Sequence, residues 1–208
     1  MFSARVLVIL LVFVVFIMPA RAEDGNVQAQ YDAMVAQSYD MPEGYDFAKL
    51  RTLYQKLPTY KPYSLGPVIN FKQVLKKVDA DPTQERRLIK EYVQKHFALP
   101  EAHSRTMASY KELGDAEKAD YHEWMMRGLL KTLMRSGDGK SAETAYQVLV
   151  ISEEYLLARW GMSKEKKGQS LEHKDGRVYD VLSGKNKDTG EDMDMWFDIT
   201  TIFSIGPY

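Results

Sequence analysis

The stretch AETAYQVLVISEEYLLARWGMSKEKKGQSLEHKDGRVYDVL, residues 142–182, decides the fold, because the spacing of its apolar residues changes halfway along. In its first half Ala142, Ala145, Tyr146, Val148, Leu149, Val150, Ile151, Leu156, Leu157 and Trp160 predict one helix that is apolar nearly all round. Such a helix belongs in the middle of a packed array. After Trp160-Gly161 the period shortens. Lys164 to Lys167 read as a charged linker, and Asp175-Gly176 stands between two short runs, Leu171 to Lys174 and Arg177 to Leu182, as the turn of a hairpin does.

Downstream, Met193, Met195, Phe197 and Ile199 alternate with Asp194, Trp196 and Asp198, which predicts a strand with one buried and one wetter face. Three strands are stable only if their apolar side lies on something, and the helices are the available support.

Upstream the period is helical throughout. Asp46 reads as an N-cap before Phe47, Leu50, Leu53, Tyr54 and Leu57, and Pro58 stops that helix. Residues 58–67, PTYKPYSLGP, form an irregular connector. Pro67, Val68, Phe71, Val74, Leu75 and Val78 predict a second helix. Asp81-Pro82-Thr83-Gln84 is a capped start before the stripe Leu88, Ile89, Tyr92, Val93, His96 and Phe97. Pro100 opens a fourth helix that ends at Gly114. Asp115 caps a fifth, which turns Ala119, His122, Met126, Leu129 and Leu133 inward. The fold class that follows is α+β: an antiparallel, repeat-like array of helical hairpins followed by a small C-terminal antiparallel sheet.

The N-terminus has its own pattern. Arg5 precedes an apolar run from Val6 to Met18, and Ala20-Arg21-Ala22 has the small-x-small form of a cleavage site. A run of 13 residues is short of the ~20 that a bilayer-spanning helix needs, so residues 1–22 read as a signal peptide, with no membrane span after cleavage. Residues 23–44 read as a polar leader, weakly ordered or a short helix; 45–161 as the helical array; 162–208 as linker and sheet. An exported chain of this kind is expected to be periplasmic or secreted.

Composition narrows the chemistry. The 208 residues carry 28 Lys plus Arg against 29 Asp plus Glu, and no cysteine. A balance this near neutral argues against a nucleic-acid partner held by bulk electrostatics. The absence of cysteine excludes disulfide frameworks, thiol catalysis and Cys-ligated metals.

Candidate residues fall into two groups. Gly139-Lys140-Ser141 imitates the end of a phosphate-binding loop, but Met134 stands where that loop needs glycine and a helix precedes it where a strand should. The loop Ser136-Gly137-Asp138-Gly139-Lys140-Ser141 is then a helix–helix turn, with Ser141 as the next N-cap. A contact from Ser136, Asp138 and Lys140 to an anion is the functional option. Glu153 and Glu154 lie on the apolar helix, where a structural Arg partner is the commoner outcome, with Arg135, Arg159 and Arg177 available. Asp180, Asp194 and Asp198 form a second acidic group if the strands pair, and paired carboxylates are what glycoside hydrolysis uses. Neither a histidine pair nor an acidic loop at metal-binding spacing occurs, so no metal and no cofactor is expected. Tyr54, Tyr60, Tyr63 and Trp196 are candidates for stacking on a sugar or peptide, although aromatics at such spacing are usually core.

Two resemblances add to this. Tyr110 to Ala119, YKELGDAEKA, resembles the turn of a tetratricopeptide repeat, for one turn only. The order YDFAKLRTLY, KPY, SGDGKSAETAYQVLVISEEY, YDVL and WFDIT resembles the exported bacterial family known as domain of unknown function 4919. The matching positions are Ser136, Gly137, Asp138, Gly139, Glu153, Glu154, Tyr155, Tyr179, Asp180, Phe197 and Asp198. The resemblance implies an exported helical domain with a β-strand C-terminus, and it brings no activity with it. The sequence therefore points to an exported, non-enzymatic binding or scaffold protein for an unknown protein or envelope component. Its alternative is a hydrolase of a cell-envelope polymer working through Glu153, Glu154 or Asp198.

Overall fold

Asp46 and Asp115 begin helices as their side chains dictate, by accepting a hydrogen bond from the backbone N–H three residues on, at 2.8 Å from Lys49 and 3.3 Å from Lys118. The computed structural model describes residues 21–63 and 82–206. In chain order they form α1 (Arg21–Ser38), α2 (Phe47–Gln55), α3 (Pro82–Lys95), α4 (Pro100–Glu112), α5 (Ala116–Arg135), β1 (Tyr146–Gln147), α6 (Ile151–Gly161), β2 (Met162–Lys174), β3 (Arg177–Asn186), β4 (Asp192–Asp198) and α7 (Thr200–Ile205). The fold is α+β. The signal reading over residues 1–20, the helix expected from Pro67 to Val78 and the cap at Asp81 lie outside the described residues.

α5 is the wall shared by two cores. Met125 and Leu129 face α1 to α4, where Tyr31, Leu50, Tyr54, Phe97 and Leu99 are packed. Leu130 and Leu133 face the sheet, meeting Leu157 of α6, Val178 and Leu182 of β3, Met195 and Phe197 of β4, and Ile202 of α7. The alternation along β4 is as the sequence predicts: Met195 and Phe197 are buried while Asp194 is exposed. The sheet runs in the order β1-β4-β3-β2, with β2, β3 and β4 antiparallel. Asp175-Gly176 turns the β2–β3 hairpin, both residues at positive φ. The α4–α5 turn closes at Gly114, φ 73°, where the Asp115 N–H reaches back to the Tyr110 carbonyl at 3.0 Å.

Of the two options for the leader the helix is the one that forms, as the 18-residue α1: Tyr31 and Met34 are buried, with Val27 and Val35 packed beside them, a helical stripe hidden in a polar composition. Three other expectations need correction. Residues 142–150 are not helical, and α6 starts only at Ile151. They run as turns and the short strand β1, which pairs parallel with β4, so the sheet is mixed. Val148 and Val150 are β-branched and favour extended backbone. Their alternating side chains enter different cores, Val148 the sheet's and Leu149 and Val150 the helices', which imitates an all-round apolar helix. Consequently Ser141 caps no helix. Finally, Lys164 to Lys167 are no linker but part of β2, which follows α6 directly and shifts register near Lys166 and Gly168.

Candidate functional site

The turn expected at residues 136–141 is a closed loop fastened to the sheet. The backbone N–H groups of Asp138 and Gly139 both donate to the Thr144 carbonyl, at 3.0 and 2.8 Å, and the Trp196 N–H donates to the Gly139 carbonyl at 2.8 Å. Asp138 Oδ1 accepts from Thr144 Oγ1 at 2.6 Å and from the Lys140 N–H at 3.1 Å. These bonds, the Thr144 one first, hold its carboxyl below the usual carboxylate range. Gly137 and Gly139 are required by space: a Cβ would lie 2.2 Å from the Thr144 oxygen in the first and 2.4 Å from the Tyr146 ring in the second. Lys140 stands exposed, 3.6 Å from Asp138. The loop's polar groups are spent on its own shape.

The first of the two glutamates is also accounted for by the fold. Glu153 is buried and takes a two-pronged ion pair from Arg51 of α2, Nη1 to Oε1 at 2.6 Å and Nη2 to Oε2 at 3.0 Å. Its Oε2 also accepts the Leu149 N–H at 2.8 Å, ahead of the first turn of α6. The partner is thus none of the three arginines that the sequence suggested. Arg159 faces Glu101 at 4.0 Å, and Arg177 pairs with Asp198. Glu154 is fully enclosed. The three aspartates do not converge. Asp180 lies on the core face opposite Phe197 and is bonded by Gln169, while Asp194 and Asp198 lie on the other face. Asp198 Oδ1 accepts from the N–H of Thr200 at 3.0 Å and from its hydroxyl at 2.6 Å, an arrangement that starts α7.

The expected aromatic platform does not assemble: Tyr63 and Trp196 are half-buried against the sheet's two faces. Tyr54 and Tyr60 are buried, and burial pushes the Tyr54 hydroxyl up to about 12. Among the described residues no three His, Asp or Glu side chains come together to hold a metal ion, and no helix is long and apolar enough to cross a membrane.

Outside those groups, a cleft of about 600 Å³ opens between α2, the end of α5, the β1 segment and the Arg177–Asp198 corner of the sheet with α7. One face of α2 lines it with Arg51, Thr52 and Gln55, and the end of α5 with Thr132, Arg135 and Ser136. The β1 wall is held rigid from both sides. Arg51 Nη2 donates to the Gln147 carbonyl at 3.3 Å, Ser136 Oγ accepts the Gln147 N–H at 2.9 Å, and the Tyr60 hydroxyl donates to the Leu149 carbonyl. Among the described residues the lining carries three arginines and one acid, Asp198. Arg51 and Arg177 each face one carboxylate. Arg135, exposed at the last turn of α5, has no ion pair among the described residues.

Of the residues singled out in the sequence, Ser136 and Asp198 border the cleft, Glu153 stands behind it as the counter-charge of Arg51, and Asp138, Lys140 and Glu154 are not part of its lining. Arg51 and the threonines were missed. The readable signal for Arg51 was a cation set beside the apolar stripe of a short helix, between Leu50 and Leu53.

A second hollow of about 310 Å³ lies between α4, α5 and α6, lined by Met126, Leu130, Leu156 and Trp160. Its arginines, Arg105 and Arg159, both face Glu101, at 2.8 and 4.0 Å.

A helical layer carrying a sheet, with a polar cleft at their junction lined by Arg51, Arg135, Arg177 and Asp198, defines an α+β protein with a recessed, cation-rich pocket. The chain belongs to the family described as Domain of unknown function (DUF4919), which matches residues 44–205. No curated protein and no solved structure matches the chain.

Proposed function

We propose that this is an exported, non-enzymatic binding protein that takes up an envelope component in the cleft between α2, the end of α5 and the sheet. The observation that carries the reading is the pairing of its carboxylates. A general acid or base needs a carboxyl free to exchange its proton in reach of a ligand. Glu153 is closed off by Arg51 and the Leu149 N–H, and Asp198 is engaged by Arg177 and Thr200. What faces the open space is cationic and hydrogen-bonding, which suits recognition. Support for export comes from the sequence alone: Arg5, the apolar run to Met18 and the Ala20-Arg21-Ala22 site. The location is periplasmic or secreted.

Two measurements test the reading. Osmotic-shock fractionation with intact-mass analysis is expected to find the protein outside the cytoplasm, cleaved after Ala22; a full-length cytoplasmic product sinks the export half. Immobilised protein is expected to retain an envelope component that an Arg135→Glu, Arg177→Glu variant loses. Identical retention by both proteins sinks the cleft half.

A further inference from the structure

The polar groups left over in the cleft select a ligand chemistry, and we infer that it binds a small polyhydroxylated carboxylic acid of the uronic-acid class, free or at the end of an acidic polysaccharide. This rests on the cleft being the binding site, and specifies what enters it.

The charge comes first. Glu153 behind Arg51 and Asp198 beside Arg177 cancel two of the three guanidinium groups, so one positive charge, at Arg135, remains for a ligand. A planar guanidinium matches a carboxylate with two parallel N–H donors, so the ligand carries a single carboxylate.

The hydroxyls come second. Thr52 Oγ1 donates to the Ala48 carbonyl and Thr132 Oγ1 to the Gly128 carbonyl, each at 2.9 Å, four residues back in their own helices. A hydroxyl whose proton is already used offers only lone pairs. Facing the cleft, both threonines therefore accept and do not donate, and what satisfies them is an O–H or N–H donor on the ligand. The adjoining arginines disfavour a cationic donor, which leaves neutral O–H and N–H groups, and of these only a hydroxyl can in turn accept from the arginines with the same atom.

The walls come third. Among the described residues no aromatic side chain lines the cleft, so they offer no stacking surface of the kind that a nucleobase or aromatic acid uses. The exposed apolar part of the lining is Ala48, with Leu133, Val148 and Leu149 buried behind the polar groups, so an extended apolar ligand finds no surface to cover. The volume lies within the range of small-molecule pockets. Anion, hydroxyl donors and no extended π-system meet in a sugar acid.

Isothermal titration calorimetry of the full chain at low ionic strength tests this with five probes: D-glucuronate, D-glucose, acetate, inorganic phosphate and an oligogalacturonide. The expected result is binding of glucuronate at least tenfold tighter than glucose or acetate. Arg135→Gln should weaken it about tenfold or more, and Thr132→Val severalfold, with unfolding midpoints unchanged for the exposed Arg135. Tighter binding of the oligomer identifies the polysaccharide end as the source, and equal or weaker binding the free acid; both agree with the inference. Glucose binding as well as glucuronate overturns it, as does acetate or phosphate doing so, or none of the five binding. If the last occurs while the envelope component is still captured through Arg135 and Arg177, the sugar-acid assignment fails and the binding cleft stands.

Discussion

At the scale of single residues the most consequential pair is Arg51 with Glu153, both almost fully buried. Breaking one side of such a pair leaves a charge with no partner in a low-dielectric interior, which costs about 3–5 kcal/mol. Arg51→Met is therefore expected to lower the urea unfolding free energy by that order, and Arg51→Met with Glu153→Leu to recover part of it; a double variant as unstable as the sum of both singles contradicts the pairing. A second buried pair sits between α4 and α5. His103 and His122 bring their Nδ1 atoms to 2.9 Å, and His103 Nε2 donates to the Phe97 carbonyl at 2.7 Å. With that donor fixed, a single proton between the rings completes the bond, which two neutral rings supply. Burial lowers both pKa values, as it does for His96. The unfolded chain binds protons on these imidazoles near pH 6.5 and the native chain only at lower pH, so their stability is fully present above pH 6.5 and drains as pH falls below it. Each ring contributes a slope of up to about 1.4 kcal/mol per pH unit in that window. Unfolding midpoints between pH 8 and pH 5 check it, and a flat profile refutes the neutral pair. Neither pair was legible in the sequence. Residues 102 apart in one case and 19 apart in the other meet only through packing, and no local spacing encodes that. Ser136 and Asp198 were legible because each is a short polar side chain at an element's end, where such groups bond backbone and also edge clefts.

At the scale of elements, most helices could be read because a cap and a 3.6-residue stripe agree, as at Asp46 with Leu50, Leu53 and Tyr54. The hairpin could be read because Asp175-Gly176 suits positive φ on both residues. The segment from Ala142 to Val150 could not. Its apolar content satisfies a helical wheel, and what overrides the helix is tertiary: Tyr146 and Gln147 pair with Phe197 and Asp198 of β4, and the Leu149 N–H goes to the Glu153 side chain, so the backbone's partners are not the carbonyls four residues back. α1 was obscured the other way, by glutamines around a stripe of Val27, Tyr31, Met34 and Val35. The shape of the 136–146 loop makes a prediction at this scale. Gly137→Ala pushes a methyl against backbone oxygen, and Gly139→Ala combines a clash with Tyr146 and a φ of 68°. Both are expected to lower stability by about 1–3 kcal/mol. Gly176→Ala, at a similar φ with open space around it, should cost about 1 kcal/mol or less. Thermal midpoints that rank Gly176→Ala as the worst of the three would show the loop is not built as described.

At the scale of the whole molecule the question is whether helices and sheet unfold together. α5 puts Met125 and Leu129 into one core and Leu130 and Leu133 into the other, and the four follow one another along a single rod. Arg51 and Tyr60 then tie α2 and the chain after it to the β1 segment, which is itself paired to β4. A core that shares its central helix cannot lose one half without exposing the other. The sheet alone would expose Leu182 and Phe197, and the helices alone would expose Leu133, all of which are fully buried. One transition is therefore expected. Trp124 reports from the helical side and Trp196 from the sheet. In single-tryptophan variants, the two urea curves should coincide with each other and with far-UV circular dichroism. Met125→Ala and Leu133→Ala, each emptying one core, should each move both curves by an equal amount, about 2–5 kcal/mol in free energy. If Leu133→Ala shifted the Trp196 curve and left the Trp124 curve in place, the two layers would be separate folding units. The cleft between them would then open and close with the sheet, and its arginines would meet a ligand in a gap of variable width instead of a fixed pocket.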